Sequence, residues 1–153
     1  MQNNQNKITI IVLVIAVVIL SFVAFKPKAQ APVVTVPESA VPAVLGNKDD
    51  LVAFKILPGS KVSGKMELGG IVKGGYFFEA NIVVKVLDAN KNELKTGNGT
   101  ATTDWMTADP VTFTTTIDFT GLTPGPGYIA LENDNPSGDP ANLKQILIPV
   151  VIQ

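Results

Sequence analysis

The chain has 153 residues, 46% of them apolar, and twelve lysines against thirteen acids give a net charge of −1. A typical domain takes about 100 to 150 residues, so this length excludes a multidomain enzyme, and the near-neutral balance offers no overall basic field for nucleic acid. Cysteine, histidine and arginine are all absent, which excludes disulfides, Cys or His nucleophiles, His-ligated zinc and arginine clamps.

Residues 1–7 form a short N-terminal tail, and the run from Ile8 to Phe25 is polar only at Thr9 and Ser21 and carries no charge. As a helix it measures about 27 Å, close to the roughly 30 Å of a bilayer's hydrocarbon core, so a transmembrane signal anchor is predicted over 8–25. The competing reading is a cleaved signal peptide. Its apolar region would usually span only about 7 to 15 residues, and the one A-x-A site, Ala29 to Ala31, is followed by Pro32. A pilin-type helix would call for a basic leader ending in a small residue and an early glutamate, and no cysteine offers a lipid attachment point. Lys7 on one side and Lys26 and Lys28 on the other leave the charge rule near a tie. In the linker at 26–48, prolines 27, 32, 37 and 42 each fix their own φ and push the preceding residue out of the helical region, which predicts an extended, polyproline-like stalk.

From 49 to 153 no stretch repeats apolar residues at helical spacing, whereas period-two alternation recurs seven times. Val52, Phe54 and Ile56 alternate before the turn Pro58-Gly59, and Met66, Leu68 and Val72 alternate with Lys65, Glu67 and Lys73. The longest run puts Tyr76, Phe78, Ala80, Ile82, Val84 and Val86 on one face. The turn Asp88 to Asn92 leads to a weaker strand near Leu94 to Thr102. Val111, Phe113, Thr115, Ile117 and Phe119 then alternate with Thr112, Thr114, Thr116 and Asp118. Tyr128 to Glu132 and Lys144 to Ile152 complete the set, with Ile146, Ile148, Val150 and Ile152 on one face. Pro149 has no N–H for a ladder, so the last strand is expected at an edge there. Seven short strands predict an all-β fold, an immunoglobulin-like antiparallel β-sandwich. Its expected core contains Phe54, Phe78, Ile82, Val84, Phe113, Ile117, Ile129 and Ile148.

Residues 74–94 (GGYFFEANIVVKVLDANKNEL), 100–119 (TATTDWMTADPVTFTTTIDF), 127–140 (GYIALENDNPSGDP) and 146–150 (ILIPV) together resemble the bacterial spore germination immunoglobulin-like domain, Gmad2. The resemblance covers roughly Val52 to Ile152. Its most specific features are Phe78-Glu79, the hairpin at Leu87 to Asn90, Asp104-Trp105 and the loop from Asn133 to Gly138. It implies an extracytoplasmic domain of envelope proteins, serving adhesion or assembly and carrying no established enzymatic activity. With it, the short tail is expected inside and the C-terminal domain outside a cell membrane crossed once.

Several motifs invite sharper readings. Gly59 to Lys65 (GSKVSGK) satisfies a P-loop only up to the lysine. Met66 stands where Ser or Thr must bind Mg²⁺, and a strand follows where a helix is needed, so no nucleotide is expected. Gly97-Asn98-Gly99 is better read as a bulged edge strand. Asn133 to Asp139 concentrates oxygen ligands, yet an EF-hand alignment puts Lys144 where the closing glutamate belongs. A looser calcium site at Asp134 and Asp139 is the alternative to a loop capped by its own side chains. The sole tryptophan, Trp105, lies between Asp104 and Met106 with Asp109 nearby, an apolar anchor with polar neighbours. The opposing reading folds Trp105 back over one end of the core. Glu79 and Asp104 are the carboxylates that a glycoside hydrolase reading would pair, and nothing in the sequence places them together.

Eleven threonines between Thr96 and Thr123 read chiefly as one solvent face of a strand. Residues 100–153 hold six acids and one lysine, an imbalance that attracts cations or a basic partner. The expectation is therefore a membrane-anchored, non-catalytic binding module without a cofactor, engaging an envelope protein or wall polymer through Asp104, Trp105, Met106 and Asp109. The alternatives are a calcium-dependent carbohydrate binder and an envelope hydrolase.

Overall fold

The structure, a computed structural model, describes residues 41–153. The expected membrane helix at 8–25 and most of the linker at 26–48 lie outside them. Among the described residues no helix is long and apolar enough to cross a membrane.

Nine strands form among the described residues: β1 Leu45–Gly46, β2 Leu51–Phe54, β3 Ser60–Val62, β4 Lys65–Lys73, β5 Asn81–Asp88, β6 Glu93–Ala101, β7 Pro110–Asp118, β8 Gly125–Glu132 and β9 Gln145–Ile152. Their hydrogen-bonded order is β1-β9-β8-β5-β6-β7-β4-β2, with β3 also on β9. Every pairing is antiparallel except that of β3 with β9. The alternation in β7 is fully realised: Val111, Phe113, Thr115, Ile117 and Phe119 are buried, while Thr114, Thr116 and Asp118 face solvent.

One strand, β6, and one segment split into β2 and β3 carry the chain between the two halves of this curled sheet. β6 pairs with β5 from Glu93 to Thr100 but with β7 only at Gly99–Ala101. A strand that changes partner in this way makes a corner. Gly99 is required at that corner, because a Cβ there would stand 2.8 Å from the Phe113 ring and 3.0 Å from Ile82. This, rather than a bulged edge, accounts for the glycine: Gly97 to Gly99 pair in regular register with β5, and the register shift between Val86 and Leu87 lies toward the other end of β6. Where β6 leaves β7, Thr115 donates its hydroxyl to the Asn98 carbonyl at 3.0 Å, and the Lys95 ammonium reaches the carbonyls of Asp118 at 2.6 Å and Thr120 at 3.0 Å. The first long segment is split likewise: β2 pairs with β4, and after Pro58-Gly59 β3 pairs with β9. The two halves enclose one core, in which Ile82, Val84, Ile129, Ile146 and Ile148 meet Leu68, Val72, Phe113 and Ile117.

Three expectations need correction. The two additional strands are β1, within the stretch read as linker, and β3, directly after the turn read at Pro58-Gly59. β9 is not at an edge around Pro149, since β8 flanks its whole length and β1 and β3 share its other side. The Pro149 carbonyl accepts from Gly59 N–H at 2.7 Å, so in extended backbone its missing N–H faces the same side, at the changeover from β1 to β3. The long run from Tyr76 is not one strand. Glu79 and Ala80 both adopt positive φ, 47° and 62°, and the backbones of Phe78 and Asn81 exchange hydrogen bonds of 3.0 and 2.9 Å across them. This is a tight two-residue turn built without glycine or asparagine at its centre. It breaks the alternation, so Phe77 takes the core position and Phe78 stays 47% exposed.

Candidate binding surface

Register gathers the loops. Lys73 at the end of β4 pairs with Pro110 at the start of β7, Asn81 with Thr100, and Glu132 with Gln145. The connections 74–80, 102–109 and 133–144 therefore emerge at the same end, joined by the short 3₁₀ turn Lys48–Asp50 that precedes β2.

The 102–109 loop is held by its own short polar side chains. Asp104 accepts from Met106 N–H at 3.1 Å, Thr107 from Asp109 N–H at 3.1 Å, and Thr103 from Thr112 N–H at 3.0 Å. Gly74 N–H donates to the Asp109 carbonyl at 2.9 Å, which ties this loop to 74–80. The result places Trp105 half-buried against the core and leaves Met106 76% exposed. Asp104 and Asp109 are exposed beside them.

The 133–144 loop is also largely self-capped. Asn133 accepts from Lys144 N–H at 2.7 Å and donates to the Asn142 carbonyl at 3.0 Å. Asp139 accepts from Ala141 N–H at 2.9 Å, capping the 3₁₀ turn Pro140–Asn142. Asp134 is exposed, and among the described residues no three carboxylates gather in a way that would hold a metal ion.

Sequence reasoning missed the tie beneath these loops. Buried Tyr76 donates its hydroxyl to Asp50 at 3.2 Å, Lys73 stands 3.4 Å from the same carboxylate, and the Lys144 ammonium lies 5.7 Å from the Tyr76 ring centre. Burial, and then the Asp50 charge, push the Tyr76 phenol above its ordinary pKa, which keeps it a neutral donor. No local pattern announces this tie, because Asp50 and Tyr76 stand 26 residues apart in sequence and period-two alternation does not weigh such a pair.

Elsewhere, a shallow cleft of about 720 Å³ lies on the outer face of β4, β6 and β7, lined by Lys55, Glu67, Asn98, Thr100, Thr114 and Thr116 among others. Neither Glu79 nor Asp104 lines it. The P-loop-like segment Gly59 to Lys65 runs through β3 into β4, with no helix to receive a phosphate.

A curled antiparallel sheet around one core, its first segment split between both halves and its loops gathered at one end, defines an immunoglobulin-like domain. The family model for Gmad2, the immunoglobulin-like domain of bacterial spore germination, matches residues 57–139. Those 83 residues exceed half of the 153, and the chain belongs to this family. No curated protein and no solved structure matches the chain.

Proposed function

We propose that this chain is a non-catalytic binding module of the bacterial cell envelope, anchored by 8–25 with its domain outside the membrane. It engages a protein or wall polymer through the loop end built from 74–80, 102–109 and 133–144. The observation that carries this reading is Met106, 76% exposed on a loop fixed by hydrogen bonds on both flanks. Scattered exposed apolar residues need no explanation. Here, however, three of the eight large ones, Phe78, Met106 and Leu143, fall within these loops, on a rigid scaffold that suits recognition.

The two neighbours in the loop have separable roles. Met106→Ser is expected to leave the melting temperature unchanged while weakening partner retention from solubilised envelope by roughly thirtyfold, the effect of losing an anchor. Trp105→Ala, which strips packing from the core, is expected to lower the melting temperature. Undiminished retention by Met106→Ser would count against this surface.

A further inference from the structure

The loop end also differs from the rest of the domain in charge. It carries seven carboxylates, Asp49, Asp50, Glu79, Asp104, Asp109, Asp134 and Asp139, against Lys48, Lys73 and Lys144, a net of −4. The remaining described residues carry six lysines and five acids, a net of +1. Salt bridges absorb part of this, since Lys48 pairs with Asp49 at 2.6 Å and Lys73 with Asp50 at 3.4 Å. Glu79, Asp104, Asp109, Asp134 and Asp139 are all exposed and form no ion pair among the described residues. Screening acts over about 8 Å at physiological salt, so charges within one loop cluster act together on anything in contact with it.

We propose that the loop end receives a cationic protein segment, one that presents an apolar side chain to the exposed Phe78, Met106 or Leu143 while its lysines or arginines face the five carboxylates that form no ion pair. This rests on the reading of the loop end as the binding surface and narrows its partner. A polyanionic wall polymer or an anionic bilayer surface meets repulsion from these carboxylates, whereas a basic segment is attracted and steered. The apolar residues complement that choice. Phe78 is set by a turn whose strained residues Glu79 and Ala80 are pinned by two backbone bonds and by Ala101 N–H on the Ala80 carbonyl at 2.8 Å. Met106, unbranched and polarisable, adapts to the shape of what it meets.

The test uses the full chain in an uncharged detergent and three short peptides: one leucine flanked by lysines, the same leucine flanked by glutamates, and lysines alone. Amide resonances report the site. The lysine–leucine peptide is expected to shift residues in 74–80, 102–109 and 133–143. Its affinity should fall about tenfold in the charge-neutralised variant Glu79→Gln/Asp109→Asn/Asp134→Asn, whose replaced carboxylates accept no hydrogen bond in the fold. Weaker binding of lysines alone supports the apolar anchor. Equal binding of the glutamate–leucine peptide at the same residues, abolished by Met106→Ser, overturns the cationic partner while leaving the loop end as a binding surface. Shifts confined to other residues, or no response to any peptide, overturn the proposal together with the reading beneath it.

Discussion

Phe113→Ala is expected to lower the stability of the domain by about 3–5 kcal/mol, near the upper end for a core truncation. The ring is fully buried, stacked on Phe54 with centroids 6.4 Å apart and meeting Phe77 edge-on at 6.1 Å. It lies in a slot between two glycines. A Cβ at Gly70 would come within 2.9 Å of it and one at Gly99 within 2.8 Å. Those glycines have no side chain to relax into the vacated space, so the cavity persists, and persistence makes such a deletion costly. Against a typical stability of about 5–15 kcal/mol, the loss takes a large fraction. Urea unfolding with an unchanged slope should show it as a shifted midpoint, and a loss under about 1 kcal/mol would contradict the packing described.

Gly74→Ala is expected to act on the loop end itself. Its new Cβ would lie 1.8 Å from the Thr107 carbonyl oxygen and 2.9 Å from the Ala108 Cα. Both obstacles are backbone, so no side-chain rotation relieves them and the 102–109 loop has to move. That movement strains the bond from Gly74 N–H to the Asp109 carbonyl and lifts Trp105 from the core it packs against. Overpacking of this kind costs about 1–3 kcal/mol. The emission of Trp105, the sole tryptophan, should shift to the red and the melting temperature should fall. Parental values for both would show that the two loops are not packed together as described.

These two residues also mark what the sequence disclosed. Phe113 was legible because β7 alternates without interruption, apolar against threonine, and such a pattern has one burial solution on a pleated strand. Phe78 was not legible. Two-residue turns of this kind normally announce themselves with Asn-Gly or Asp-Gly. Here Glu79-Ala80 fills both left-handed positions, so alternation reads straight through a reversal of the chain. Val52 follows a related logic: β2 has a register shift between Leu51 and Ala53, and Val52 ends 54% exposed instead of facing the core. β3 escaped notice because its pairing with β9 joins residues about ninety apart in sequence, a contact no local pattern encodes.

At the candidate site, the lone Trp105 with Met106 drew notice by composition alone. Which of the two is buried depends on Asp104 turning back to the Met106 N–H, a geometry that composition leaves open. Leu143 and the Asp50–Tyr76 bond were missed because both depend on loops that converge only once the register of β4, β7, β8 and β9 is set.

On the reading proposed above, partners are met at the loop end and not elsewhere on the domain. The most direct measurement is photo-crosslinking of the full chain in cells. A photoreactive residue replaces either Met106 or Asn90, the latter at the exposed tip of the β5–β6 hairpin at the opposite end. A discrete protein adduct is expected from position 106 and none from position 90. An adduct from position 90 alone, or the same adducts from both, would contradict that reading.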